Sequence, residues 1–389
     1  MFWLTINALG QEISRHQADS MINALKTYKP IKERIDLLLN LAQFHVFKPG
    51  EQQKDFDSAK IFIDEAALLN TSFKSQEANG YQALTESYLV NEQGKKAEAR
   101  KLVEKAISIL EKSSNQDYLG RACYELSRHY GYSDPQERST KIKLVERAVN
   151  CFKMAATLDQ NAYSLQMLGD LYILNEEHEK AIAALNNALA AFNRVGYPKL
   201  QGVYILLGQS NSMLGNYVQA LFYMLKALKT AQKVGDTTMQ MCQINLSLGV
   251  IYERIDNKEI SIKYLIDGLE VAKKYHDEDA ISFVAVNISA LYNKLGQPNK
   301  ALAALDDIPP KIRKAKDPYS QNNIALCYLD AYTALRQFDK ARRFCDTVLY
   351  YAGSSEVVKD LEKSSYSSVA EYCLATKQFE KAQHYLTKN

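Results

Sequence analysis

The feature that most constrains this 389-residue chain is a repeat. Small residues set in the middle of apolar, helix-spaced runs recur at Ala59, Ala99, Ala181, Ala220, Ser261, Ala301, Ala341 and Ala382, with Lys141 in the place between Ala99 and Ala181. Successive steps are 40, 42, 40, 39, 41, 40, 40 and 41 residues. A unit of about 40 residues is one supersecondary element. It cannot bury its apolar face alone, so such a chain has to stack its units into an array.

Each small anchor belongs to a second helix, and a first helix precedes it. The clearest unit reads Leu168-Gly169, Tyr172, Ala181, Leu185, Ala188; the next reads Leu207-Gly208, Tyr217, Ala220, Met224, Ala227. The phrase returns as Leu248-Gly249, Tyr252, Ser261, Leu265, then as Ile288-Ser289, Tyr292, Ala301, Leu305, and once more as Tyr332, Leu335, Phe338, Ala341. Spacings of three, four and seven put these residues on one helical face. The small residues let two helices cross closely, and the aromatic ring fills the gap to the next unit. Gly94, Gly215, Gly296 and Asp256-Asn257 mark the tight turn inside a pair. Longer internal turns are expected in the first three units, over residues 48–55, 91–95 and 131–138. With only 8 Pro and 16 Gly, the turn-rich layout of an all-β chain is excluded.

Gly169, Tyr172, Ala181 and Ala188 resemble the tetratricopeptide repeat family, whose pattern is a small residue, an aromatic three later, and Ala twelve and nineteen later. The resemblance covers about residues 31–389 and implies an all-α, right-handed superhelical solenoid of about nine antiparallel helix pairs. The pairs are expected to start near residues 31, 75, 117, 160, 199, 239, 279, 319 and 363. The period exceeds the family's usual 34, the early Trp is absent and polar residues replace the linking Pro, so this looks like the long-helix variant of kinesin light chains and bacterial peptide-sensing regulators. HEAT-like pairs share the period but not the phrase. Residues 1–10 read as a leader or the remnant of an export signal, and 11–30 as a preceding helix, since Ile13, Ala18, Ile22 and Leu25 share a face. The chain is exported if the leader is a signal remnant, and cytoplasmic otherwise.

The resemblance also implies where binding would occur. First helices of the family line the groove, which gives Tyr163, Gln166 and Asp170 from one unit, Gln209 from the next, then Gln243 and Glu253, then Asn287, Asn293 and Lys294, and finally Asn323. Leu246, Val250, Phe283, Ala290, Leu326 and Asp330 fall in the same register. A side-chain amide donates and accepts at once, so Asn and Gln can pair with an extended peptide backbone whatever its sequence. A merely solvent-facing Asn287 is the alternative.

Other chemistry finds little support. No phosphate-binding Gly loop, Gly-x-Ser-x-Gly or His-Glu-x-x-His is present, and the six His residues are scattered. Cys123, Cys151, Cys242, Cys327, Cys345 and Cys373 form no Cys-x-x-Cys and mostly fall on apolar stripes, which reads as free, buried thiols. We therefore expect no catalytic residue, no metal and no cofactor. The formal charge of +3 is too balanced to advertise nucleic acid. No run reaches the 18 or so apolar residues of a membrane span. The expected partner is a protein or an extended peptide. Three roles fit: the ligand-sensing part of a signalling protein, similar in layout to the sensor of Bacteroidetes-type tetratricopeptide histidine kinases or regulators; an assembly scaffold or chaperone adaptor; and a cytoplasmic peptide-responsive regulator. The last unit carries Phe379, Ala382, Tyr385 and Leu386 close to Asn389. That short, apolar end leads us to expect a further domain or self-association there.

Overall fold

A computed structural model describes residues 13–27, 30–50, 52–314, 317–353 and 359–388. The expected leader, residues 1–10, lies outside the described residues. Among those described, every regular element is a helix. The preceding helix is α1 (Arg15–Leu25), opened by a capping box in which Ser14 and Gln17 satisfy each other's backbone.

First and second helices then alternate, apart from one inserted single-turn helix, Pro310–Arg313. The first unit of the fold, ending at Leu214, contains α2 (Ile31–Phe47), α3 (Gln53–Phe73), α4 (Gln76–Glu92), α5 (Lys96–Leu110), α6 (Gln116–Arg128), α7 (Pro135–Ala155), α8 (Leu158–Leu174), α9 (His178–Arg194) and α10 (Gln201–Met213). The second, from Gly215, contains α11 (Tyr217–Lys233), α12 (Met239–Arg254), α13 (Lys258–Lys274), α14 (Glu278–Lys294), α15 (Pro298–Leu305), α16 (Pro310–Arg313), α17 (Pro318–Ala334), α18 (Phe338–Ala352), α19 (Lys359–Ala375) and α20 (Phe379–Leu386).

The small residues sit where the repeat requires them. Ala59, Ala99, Ala181, Ala220, Ala301, Ala341 and Ser261 have no exposed surface, and Lys141 has 2%. A Cβ on Gly169 would lie 2.5 Å from Leu185 Cγ of the paired helix, and one on Gly249 would lie 2.7 Å from Leu265 Cγ. Both distances are below any real carbon contact, so a side chain there would push the pair apart. Two further crossings, absent from the sequence reading, use Gly80 against Leu110 and Gly120 against Phe152. In the first unit one apolar core runs from Ile35 on α2 to Ala184 on α9. In the second, successive clusters link α13 to α14, α14 to α17, and α17 through to α20.

Two expectations need correction. The turn between α4 and α5 is Gln93-Gly94-Lys95, as short as the other turns, so only the first and third pairs have long ones. The last pair is also not alone in having a short second helix: α15 stops after eight residues. Pro309 and Pro310 follow it, and proline removes the donor that would extend a helix.

Candidate functional site

Within each unit the first helices pack directly on one another: α2 on α4, α4 on α6, α8 on α10, and, in the second, α14 on α17 and α17 on α19. Among the described residues, second helices have no such close neighbours of their own kind. The first helices thus make up one face of each unit, its inner face.

In the first unit much of that face is filled by the chain itself. Gln43 on α2 donates to the Tyr81 hydroxyl at 2.8 Å and to Thr85 Oγ1 at 3.1 Å. Tyr81 donates to Asn40 Oδ1 and stacks on Tyr118 of α6, ring centres 3.9 Å apart. Tyr118 reaches past α4 to donate to Asp36 at 2.9 Å. Along α6 run two close ion pairs, Arg121–Asp117 at 2.8 Å and Arg128–Glu125 at 3.0 Å. Burial leaves Glu125 with a raised pKa against the opposing pull of Arg128. Most of these buried polar atoms satisfy each other, although Asp117 Oδ1 finds no hydrogen-bond partner among the described residues.

Four of the sequence-derived residues lie further along the same unit. Tyr163 packs edge-on against Phe192 and Tyr197, at 5.0 and 5.7 Å. Gln166 turns its amide toward Gly202 of α10. Gln209 is half-buried on α10. Asp170 is pushed up to about 6 by burial, with Lys141 pulling the other way. Lys141 is itself lowered to about 8, by burial and then by Arg128.

The second unit brings the other six onto α12, α14 and α17. Asn287 Nδ2 donates to the Phe283 carbonyl at 2.7 Å, and Asn323 Nδ2 to the Tyr319 carbonyl at 3.0 Å. Each bond goes one turn back along its own helix. It uses one N–H and leaves the second N–H and the carbonyl oxygen of each amide open on a half-exposed side chain. Asn293 instead bridges α14 to the Cys327 carbonyl of α17 at 2.9 Å. Lys294 pairs with Glu253 of α12 at 2.6 Å. Gln243 is half-buried on α12. Phe283 is half exposed between these groups. Asp330, in the equivalent place to Asp170, is pushed up to about 7; burial raises it most, the Ser368 hydroxyl lowers it, Glu371 raises it and Lys294 lowers it. No spacing rule announces that shift, because Ser368 and Glu371 belong to the next pair.

All six cysteines are free and buried. Among the described residues no group of three or more His, Cys, Asp or Glu converges as metal ligands would. No described helix is long and apolar enough to cross a membrane.

Residues 162–192 match the family described as tetratricopeptide repeat. No curated protein sequence matches the chain. Among solved structures, aspartyl phosphate phosphatase F from Bacillus subtilis is similar at 15% identity and a TM-score of 0.56, over 93% of this chain and 94% of that one. The apo form of RapI gives 13% and 0.65 over 92% and 96%. A Rap protein complexed with competence and sporulation factor gives 12% and 0.52 over 92% and 97%. At such identities the likeness is one of fold. The fold is a tetratricopeptide-like helical repeat, and one of its repeats matches the family itself.

Proposed function

We propose that this tetratricopeptide-type array is a binding scaffold that holds an extended segment of a partner polypeptide across α12, α14 and α17. The observation that carries the reading is the pair of amides at Asn287 and Asn323. Each is anchored to its own helix by one bond and still offers a donor and an acceptor on the inner face. An extended peptide presents unpaired N–H and C=O groups at regular intervals, which is what such amides recognise. The exposed ring of Phe283 and the side chains of Leu246 and Val250 supply an apolar floor for one or two peptide side chains. The Rap protein of the same fold that was solved with competence and sporulation factor bound supports a ligand-holding role. On this reading the chain is not an enzyme and uses no cofactor, and its place is the ligand-sensing part of a signalling protein.

The test is a selection from a library of linear peptides displayed on phage, followed by affinity measurements with Asn287→Ala and Asn323→Ala. Each substitution removes hydrogen bonds to the ligand at an exposed position. We expect about tenfold weaker binding per substitution, ~1.4 kcal/mol, with unchanged melting. Unaltered affinity in both variants would leave the amides as solvent-facing residues and remove the basis of this assignment.

A further inference from the structure

One row of side chains crosses the first helices of the second unit at a constant interval. Leu246, Val286, Leu326 and Tyr366, on α12, α14, α17 and α19, stand 40 residues apart at each step. They are one position of four successive repeats, and all four are half-buried. Leu246, Val286 and Leu326 rest on the core clusters beneath them, and Tyr366 stacks on Tyr385 with ring centres 6.0 Å apart. Amides flank the row: Gln243 and Asn323 one turn before it, and Asn287 next to Val286. The helices that carry it are held side by side. α14 packs on α17 and α17 on α19, Cys327 Sγ donates to the Val286 carbonyl at 3.6 Å, and Glu253 on α12 pairs with Lys294 on α14 at 2.6 Å. Axes of packed helices lie about 8–10 Å apart, so the row offers one apolar contact at each such step.

We propose that the ligand lies along this row as a polyproline II segment, with an apolar side chain at every third position and proline favoured between them. This rests on the peptide-holding reading of α12, α14 and α17 and extends it to α19. A polyproline II chain turns once in three residues and rises ~3.1 Å per residue, so its like-facing side chains recur about every 9.3 Å. That matches the row. A β-strand does not match, because its like-facing side chains recur about every 6.7 Å, and a strand that meets one row residue misses the next. Polyproline II also makes no hydrogen bonds within itself. Its carbonyls stay open to the N–H groups of the flanking amides. Proline at the positions that face away fixes φ before binding and so lowers the ordering cost.

Titration calorimetry with synthetic peptides of one composition, built from leucine, proline and serine, tests this. One peptide has leucine at every third position, a second has it at every second position, and a third is the first with one serine moved to break the spacing at its centre. The first should bind about tenfold or more tighter than the other two. Leu246→Ala and Leu326→Ala should each weaken it about tenfold, with circular dichroism melts as the folding control. Equal or tighter binding of the second peptide overturns the proposal, as does indifference to the broken spacing or to both substitutions. A phage-selected peptide separates this failure from a wider one. If that peptide binds through Asn287 while the three-residue spacing gives no advantage, the proposal fails and the peptide-holding reading stands. If no peptide binds at all, both fail.

Discussion

Inside each pair with a short turn, the turn is made by one residue in the left-handed region. Glycine holds it at Gly94, Gly215 and Gly296, while Glu176, Asp256, Arg336 and Lys377 hold the equivalent places with φ of 59°, 60°, 54° and 62°. A side chain costs ~1–2 kcal/mol there, against ~0.5–1 kcal/mol of extra entropy lost by glycine. Arg336→Gly should therefore raise unfolding free energy by up to about 1 kcal/mol, and Gly296→Ala should lower it by about 1 kcal/mol, both read from urea titrations. At the crossings the sign reverses for a different reason. Gly169→Ala gains up to ~1 kcal/mol of helix propensity, but its Cβ would meet Leu185 at 2.5 Å. Overpacking of ~1–3 kcal/mol wins, and the same titration should show a loss. Asp330 adds a pH signature. Its folded pKa, about 7, lies above the ordinary 3.8, so the folded state disfavours the charged form. Stability falls as pH rises from about 4 to about 7. Asp330→Asn should be more stable than wild type at pH 8 and no more stable at pH 4.

At the scale of elements, the exception in the repeat explains itself. Lys141 stands where other second helices have Ala or Ser, and the turn before α7 is one of the two long ones. The ammonium group donates to the Tyr130 carbonyl at 2.9 Å and lies 3.7 Å from the Tyr132 ring centre. Arg138 holds the Tyr132 carbonyl at 2.9 Å and Glu137 accepts from the Gly131 N–H at 2.7 Å. The lysine thus fastens a loop that a short turn would not need. Because its folded pKa of about 8 lies below the usual 10.5, wild-type stability should climb as pH rises between those values. Lys141→Met should lack that climb in pH-dependent unfolding. The order of elements was legible because helix starts depend on local spacing: first helices expected near 31, 75, 239, 279 and 319 begin at 31, 76, 239, 278 and 318. The early stop of α15 has a local signal, Pro309-Pro310, in the sequence. The partners of Asn293 and Asp330 were not legible at all. They lie on neighbouring helices, at distances and angles that no single-helix pattern encodes.

For the whole molecule, the repeat divides the work. Second-helix anchors and first-helix glycines are buried and hold pairs together. On the proposed reading the ligand is held by first helices, in the second unit at Asn287, Asn323 and Phe283. Substitutions at the anchors should therefore change stability before binding, and substitutions at those three residues the reverse. The most direct measurement replaces Phe283, on the inner face, with the photo-crosslinking residue benzoylphenylalanine, and separately replaces Phe222, on the outer ridge of α11. Each protein is irradiated with a library-selected peptide. The account predicts a covalent adduct at position 283 that excess unlabelled peptide suppresses, and none at 222. Crosslinking at 222 with none at 283 would contradict it.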